Sequence, residues 1–264
     1  MALVRLSDYI LPEKNHMQPS AVNSILPLPL TGSACAYFPR SLGSIYPSTF
    51  NPRFPMSATL LRIHPDNPPQ NRLLQAVEIL RNGGIIIYPT DTIYGLGCDI
   101  HNAKAVEKLC RLKGIHPDKA NLSFICSDLA HITDYAHGIT TPIYKVLKKA
   151  LPGPFTFIFE ASPKAPRYGG VKRKTVGIRV PDNQICLSLV KELGNPIVST
   201  SIRDDDELLE YTTDPDLIFE KYRSLVDLVI DGGFGNNIAS TVVDCTNDDF
   251  EIVRQGAGDI EQYL

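Results

Sequence analysis

A run of hydroxyl, carboxylate and phenol side chains directly follows an apolar segment of the chain. Residues 85–88 are Ile-Ile-Ile-Tyr, and residues 89–97 are Pro-Thr-Asp-Thr-Ile-Tyr-Gly-Leu-Gly. A buried strand that ends in a glycine-flanked turn can present hydroxyls and backbone amides to a ligand. The same residue types also form tight turns in which Thr and Asp cap their own backbone. The run is a candidate binding loop, with a purely structural turn as the alternative.

Lys113 is a cation on the apolar stripe of a predicted helix. Val106, Leu109 and Cys110 share one face of the helix predicted over residues 102–113, and Lys113 continues that stripe at its end. A lysine there either points into a cleft or extends its ammonium group into solvent. Lys119 follows in a loop and can join Lys113 in holding a phosphate.

Two further segments combine a strand pattern with polar side chains at its end. Residues 199–201 are Ser-Thr-Ser, which can bind an oxyanion or cap the next segment. Arg179 lies between two apolar residues of a predicted strand, so its guanidinium faces the opposite side from theirs, and Arg254 has a similar position in the last predicted strand. Cations that converge from separate segments would form a site for a polyphosphate or a carboxylate.

The densest basic stretch includes Lys172, Arg173 and Lys174. Three adjacent cations in a loop are typical of a solvated surface. They are also typical of a contact with phosphate or RNA, because backbone phosphates attract Lys and Arg. Both interpretations stay open at this point.

Composition excludes several classes of protein. The 264 residues carry a net charge of −3, which gives no overall attraction to nucleic acid or acidic membranes. The apolar runs are far shorter than the roughly 18 to 20 residues that cross a bilayer. The six cysteines are scattered without a Cys-x-x-Cys pair, which predicts core thiols rather than disulfides or a metal site. We therefore expect a cytoplasmic protein with no membrane contact and no protein-bound metal.

The common nucleotide motifs are also missing from the sequence. No segment fits the P-loop pattern, and neither Gly95-Leu96-Gly97 nor Gly256-Ala257-Gly258 continues into the dinucleotide-binding pattern G-x-G-x-x-G. Any nucleotide site must therefore be built from other elements.

The chain divides near residue 56. Residues 1–55 are rich in Pro and Ser and lack a sustained periodicity, which predicts a disordered extension. Alternatively, they precede a true start at Met56, or they form a transit peptide, since acidic residues are sparse there. Residues 56–264 alternate between strand and helix patterns, which predicts one α/β or α+β domain with helices on a sheet. The predicted helices cover residues 71–82 and 102–113, a segment that begins at Thr141-Pro142, and a segment capped by Asp182 or Asn183; the predicted strands cover residues 85–88, 121–126, 155–161, 175–180, 196–200, 225–230, 240–245 and 250–254.

These segments, in this order, resemble the YrdC-like domain family of threonylcarbamoyl-AMP synthases, and within it the YciO branch. The resemblance covers residues 60–264. It implies a YrdC/RibB-like fold, a twisted mixed β-sheet with flanking helices and a positively charged concave face. It rests on residues 83–96 (GGIIIYPTDTIYGL), 112–114 (LKG), 152–156 (PGPFT), 176–181 (VGIRVP), 199–201 (STS), 240–244 (STVVD) and 253–257 (VRQGA), with 64–67 (HPDN) and 172–175 (KRKT) pointing to the branch.

The resemblance also implies a reaction, in which L-threonine, bicarbonate and ATP give threonylcarbamoyl-AMP and pyrophosphate for the modification of tRNA. ATP and Mg²⁺ are the implied cofactors, and ATP and L-threonine the implied partners. The implied catalytic residues are Lys113, Arg179 and Ser201. The implied threonine or carbamate contacts are Thr90, Thr92, Tyr94 and Thr156, and the implied nucleotide contacts are Lys113, Lys119, Ser199, Ser201, Arg203, Ser240 and Arg254.

The chain departs from the family pattern at two positions. The family's K-x-R pair is Lys113-Gly114-Ile115 here, and its S-x-N pair is Ser201-Ile202-Arg203. Loss of a phosphate contact commonly costs roughly a hundredfold or more in rate, so we expect weak activity unless Arg203 compensates. The alternative is a protein that binds double-stranded RNA or tRNA, with Lys172, Arg173 and Lys174 at the rim, without efficient synthesis. A third possibility is a hydrolase that acts on the adenylate or a related nucleotide in the same pocket.

Overall fold

The computed structural model describes residues 57–168, 170, 173–202, 213–247 and 249–264. Within them a mixed β-sheet carries six α-helices, which confirms the predicted α/β class. The predictions for residues 1–55, Lys172 and Arg203 lie outside the described residues. No helix within the described part of the chain combines the length and apolar character that crossing a bilayer requires.

The described elements follow one another in the predicted alternation of strands and helices. The strands are β1 Thr59–Arg62, β2 Ile86–Tyr88, β3 Gly95–Asp99, β4 Ser123–Ile125, β5 Ala136–His137, β6 Phe155–Ala161, β7 Thr175–Arg179, β8 Ile197–Ser201, β9 Leu228–Asp231, β10 Thr241–Asp244 and β11 Glu251–Arg254. The helices are α1 Gln70–Arg81, α2 Ala103–Leu112, α3 Leu129–Tyr135, α4 Thr141–Ala150, α5 Gln184–Leu193 and α6 Pro215–Tyr222, and a 3₁₀ helix spans Ile260–Tyr263.

The strands form one sheet in the order β1-β9-β2-β3-β8-β4-β7-β6-β10-β11, with β5 paired to β6. The sheet is mixed, with parallel pairs β1–β9, β9–β2, β4–β7 and β6–β10 and antiparallel pairs between the other neighbours in this order. The polar candidate segments after β2, in β7 and in β8 therefore lie on central strands, far from each other in sequence but close in the sheet.

Alternating side chains build a core on each face of the sheet. Ile86 and Tyr88 pack with α1 and α5 on one face, whereas Ile85 and Ile87 pack with the core that includes α2 and α4 on the other. A strand places successive side chains on opposite faces, so a continuous apolar run fits a strand that is covered on both sides. This covering holds the central strands rigidly and fixes the residues at their ends.

The structure differs from the sequence-based prediction at β3. The glycines of residues 95–97 favour a turn by propensity, but this segment is a buried strand between β2 and β8. A Cβ at Gly95 would lie 2.8 Å from Tyr88 Cζ, and one at Gly97 would lie 2.6 Å from Ile197 Cγ2. Glycine is needed here because neighbouring side chains fill the space above the backbone.

Buried thiols predict a loss of stability at alkaline pH. Burial raises the pKa of Cys186 from 9.0 to about 12 and raises that of Cys245 to about 12 as well. Above about pH 9 the thiols of the unfolded chain lose their protons, whereas the buried thiols of the folded protein keep theirs. The free energy of unfolding is therefore unaffected by these thiols below pH 9 and decreases between pH 9 and 12. Urea unfolding from pH 7 upward measures this fall. A constant or rising free energy over that interval would contradict the expectation.

Candidate functional site

A cavity of about 670 Å³ lies over the middle of the sheet. Its floor is a row of small residues on adjacent strands: Ser199 of β8 is opposite Ser123 of β4, and Ser123 is opposite Gly177 of β7. All three line the cavity. Successive side chains of a strand point to opposite faces of the sheet. The bulky side chains of these strands therefore pack on the other face, and the small ones leave open space above the backbone. The sequence of the central strands thus creates the cavity.

Five cations line the cavity, and no Asp or Glu is among the described residues of its lining. They come from the loop after α2, the segment before β7, β7 itself and β11. An enclosed surface of one charge sign concentrates ligands of the opposite sign. The cavity is therefore suited to an anion with more than one charged group. The cations are Lys113, Lys119, Arg173, Arg179 and Arg254.

The end of α2 places two residues in the lining. The amide of Ile115 donates to the Cys110 carbonyl and that of Gly114 donates to the Arg111 carbonyl. This is the Schellman arrangement, in which a glycine with positive φ, here +65°, ends a helix. It turns the chain sharply, so that Lys113 and Ile115 both line the cavity.

The loop beyond α2 also meets the segment before β7. Arg173 Nη2 donates to the carbonyl of Pro117 at 2.9 Å. This contact gathers Arg173 with Lys113 and Lys119 at one end of the cavity, hereafter the lysine end. His116 and Asp118 of the same loop bind each other through their side chains, and hydrogen bonding to His116 lowers the pKa of Asp118.

The loop after β2 surrounds Arg179 in another part of the lining, hereafter the arginine end. Arg179 Nη2 donates to Thr92 Oγ1 at 2.7 Å and to Thr90 Oγ1 at 3.2 Å, and it forms a salt bridge with Asp91. Arg179 is 9% exposed. As predicted for β7, this guanidinium lies on the opposite face of the sheet from the side chain of Ile178, which is in the core.

Ser199 is fixed from below by a buried tyrosine. The hydroxyl of Tyr88 donates to Ser199 Oγ at 2.6 Å, and Ser199 Oγ donates to the Leu96 carbonyl at 3.3 Å. Tyr88 is fully buried, and this desolvation raises the pKa of its phenol above the usual value. Ser199 therefore keeps a lone pair with which it can accept a hydrogen bond from a ligand in the cavity.

Replacement of Tyr88 with Phe is expected to lower the free energy of unfolding by about 1–2 kcal/mol, because the bond to Ser199 is lost in a buried setting. Urea unfolding measures the change. Tyr144→Phe is the matched control, because Tyr144 is 44% exposed on α4. Equal stability of the Tyr88→Phe and wild-type proteins would show that the buried hydrogen bond contributes nothing.

The far wall of the cavity joins β6, β10 and β11. Thr156 Oγ1 and Ser240 Oγ lie 2.9 Å apart, and Arg254 Nη2 donates to the Ser240 carbonyl at 2.9 Å. All three residues line the cavity. This wall thus offers two hydroxyls and one guanidinium to a ligand.

The structure gathers most of the candidate residues but not all of them. Tyr94 is outside the lining: its hydroxyl donates to the Gly233 carbonyl at 2.6 Å and accepts from the amide of Gly232. Lys174 is exposed and also outside the lining. Lys172 and Arg203 lie outside the described residues. The candidates that line one cavity are Thr90, Thr92, Lys113, Lys119, Thr156, Arg173, Arg179, Ser199, Ser201, Ser240 and Arg254.

The described residues contain no group of three or more metal-ligating side chains that could hold an ion. Mg²⁺ is a hard cation that prefers oxygen ligands, commonly substrate phosphates together with one or two carboxylates. The described lining offers hydroxyls and cations but no carboxylate. Within the described lining, a magnesium ion would therefore take its oxygen ligands from a bound nucleotide, together with the hydroxyls of the lining.

Comparison with known proteins identifies the family. The family model Sua5_yciO_yrdC, described as "Telomere recombination", matches residues 78–256. The chain belongs to the Sua5/YciO/YrdC family. The resemblance noted in the sequence is confirmed, and so is the YrdC-like mixed α/β fold.

Relatives in this family include proteins of both named branches. The uncharacterized protein YciO of Escherichia coli (strain K12) is 41% identical over 204 residues, which cover 76% of this chain and 97% of YciO. The crystal structure of E. coli YciO has a TM-score of 0.72 at 39% identity and covers 78% of this chain and 100% of that one. A threonylcarbamoyl-AMP synthase of Halorhodospira halophila is 35% identical over 130 residues, 49% of this chain and 68% of the synthase.

A solved Sua5 structure from the same family contains a ligand. The crystal structure of P. abyssi Sua5 complexed with L-threonine has a TM-score of 0.70 at 25% identity. The match covers 78% of this chain and 59% of the Sua5 chain. The family thus includes a protein of this fold that binds an amino acid.

Proposed function

We propose that the chain is an ATP-dependent synthase of the threonylcarbamoyl-AMP type. The observation that carries the proposal is the cavity over the central strands, lined by five cations and no carboxylate among the described residues. The Sua5/YciO/YrdC family includes synthases with this activity by name. A cationic cavity with hydroxyls at its floor and walls suits a nucleotide together with a small anion.

The reaction requires two anions to be held together. The amino group of threonine adds to the carbon of bicarbonate, with loss of water, to give a carbamate. A carbamate oxygen then attacks the α-phosphorus of ATP, the bond to the β-phosphate oxygen breaks, and pyrophosphate leaves. Like-charged reactants approach only if cations offset their repulsion, and holding them in place removes much of the entropic cost.

The two ends of the cavity divide these tasks. Lys113, Lys119 and Arg173 supply three positive charges at the lysine end, which suits the polyphosphate of MgATP. Mg²⁺ bound with ATP would supply further charge neutralisation on the phosphates. Arg179 with its two threonine hydroxyls suits the carboxylate of the amino acid or carbamate. The floor of small residues between them leaves room for the reacting groups.

The direct test is pyrophosphate release by the full chain given MgATP, bicarbonate and each amino acid in turn. Threonine-dependent release is expected, and Lys113→Ala should reduce it at least about a hundredfold because a charge on the phosphates is lost. Lys145→Ala is the matched control, since Lys145 is exposed on α4 and outside the lining. Release that does not depend on any amino acid, or no release at all, would reject the proposal.

A second candidate function is the binding of double-stranded RNA or tRNA without efficient synthesis. It is favoured by one observation: Ile115, where the family pattern has Arg, lines the cavity beside Lys113. Salt dependence separates the two functions, because binding to backbone phosphates weakens steeply with salt. Retention of RNA binding in Lys113→Ala together with a steep salt slope would favour this candidate over a nucleotide site.

A further inference from the structure

Asp91 lies behind Arg179 at the arginine end of the cavity. Its Oδ1 pairs with Arg179 Nη2, and each side chain is only 10% exposed. Arg179 lines the cavity but Asp91 does not. A carboxylate in this position acts on a ligand through Arg179, without touching the ligand itself.

The contacts of Arg179 fix its orientation. Its described side-chain hydrogen bonds all use Nη2, which meets Asp91, Thr90 and Thr92 together. Arg179 Nε and Asp91 Oδ2 are buried and have no partner among the described residues. Buried polar groups are normally satisfied, so the pair retains one unsatisfied donor and one unsatisfied acceptor.

Asp91 lowers the net charge of the arginine end. The lysine end has three cations in its lining, whereas the arginine end has one guanidinium that a buried carboxylate largely neutralises. A ligand group at the arginine end therefore meets a guanidinium that carries little net charge.

We infer that Asp91 is a positioning residue that determines which anion the arginine end accepts. The pair favours a planar, singly charged carboxylate or carbamate, because a guanidinium matches its two oxygens and little net charge is left to attract a phosphate dianion. Removal of the Asp91 charge would add twice as much attraction for a dianion as for a monoanion at the same distance. The inference rests on the proposed function in one respect, that the natural monoanion is threonine or its carbamate.

The test compares Asp91→Asn with the wild-type full chain. Asn keeps an oxygen for Arg179 Nη2 but removes the charge. Binding of inorganic phosphate, L-threonine and acetate is measured by NMR titration. The ratio of phosphate affinity to acetate affinity is expected to rise at least about tenfold, because the removed carboxylate repels a dianion twice as strongly as a monoanion at the same distance. An unchanged ratio would overturn the inference.

The matched control is Asp134→Asn. Asp134 also pairs with a cation, Lys164, but the two side chains are 46% and 72% exposed. The affinity ratio should stay at the wild-type value in this variant. A rise in Asp134→Asn equal to that in Asp91→Asn would show a general charge effect and would overturn the inference.

A spectroscopic signature separates positioning from a merely structural role. The ¹H–¹⁵N signal of Arg179 Nε, assigned by its loss in Arg179→Lys, should shift in Asp91→Asn and should shift again when acetate binds. If Asp91→Asn does not fold, Asp91→Glu keeps the charge but displaces the guanidinium, so the affinity ratio should persist while both affinities fall. An Arg179 Nε signal that is unchanged in both variants would overturn the inference.

The two proposals can fail separately. A changed ratio of phosphate to acetate without any binding of threonine would support the role of Asp91 and reject the synthase. Threonine-dependent pyrophosphate release with an unchanged ratio in Asp91→Asn would support the synthase and reject the role of Asp91.

Discussion

Replacement of Arg179 with Ala is expected to reduce threonine-dependent pyrophosphate release at least about a hundredfold, because the guanidinium at the arginine end of the cavity is lost. Arg179 of β7 contacts Asp91 and the two proposed substrate contacts in the loop after β2, Thr90 and Thr92. The substitution also leaves the carboxylate of Asp91 buried without its cation. Loss of one member of a buried ion pair costs about 3–5 kcal/mol, so a marked fall in the free energy of unfolding is expected as well.

The control for this prediction is Arg223→Ala. Arg223 pairs with Glu220 at 3.5 Å, but both side chains are more than half exposed. Such a pair contributes at most about 1 kcal/mol, and Arg223 is outside the lining. Steady-state kinetics and urea unfolding on both variants separate loss of the site from loss of the fold. Near wild-type turnover in a folded Arg179→Ala protein would contradict the assignment of the arginine end.

Replacement of Ile115 with Arg is expected to raise kcat/KM for ATP at least about tenfold, because a guanidinium on the phosphates forms charge-assisted hydrogen bonds. Ile115 lines the cavity near Lys113 and is 37% exposed, so a longer, charged side chain can extend from this position into the cavity. The substitution also restores the K-x-R pair of the family pattern. Initial rates of pyrophosphate release at varied ATP concentration measure the effect.

Leu74→Arg is the matched control for the gain in rate. Leu74 is 47% exposed on α1, outside the cavity lining, so the added charge there meets no ligand. Its kinetics should equal those of the wild-type protein. An Ile115→Arg protein that folds but turns over no faster would show that the phosphates of ATP do not lie at the lysine end.

Much of the fold could be predicted because the patterns are local. The stripe of Val106, Leu109 and Cys110 predicted α2 and its inward face, and these residues are buried as expected. Asn183 caps α5, one of the two caps predicted. The short helices α3 and α6 and strand β3 were missed. The two helices have weak patterns, and the glycines of β3 are required by contacts with residues that are distant in sequence.

The site was less predictable because register determines it. Residue types pointed to Arg179 and Ser199, but no local pattern shows that Ser123 and Gly177 join Ser199 in the floor of the cavity. Tyr88 looked like one more apolar residue of a buried strand, although its hydroxyl holds Ser199. Asp91 was visible only as part of a polar loop. A buried position for its carboxylate follows from the pairing of that loop with β7, which spacing alone does not give.

The central claim is that the cavity joins an amino acid, bicarbonate and ATP. Mass spectrometry of the products formed from ¹³C-bicarbonate, L-threonine and MgATP tests it most directly. The account predicts an adenylate that carries threonine and one ¹³C atom, formed by the wild-type protein and lost in Arg179→Ala. The absence of any labelled adenylate from a folded protein that binds ATP would contradict the account.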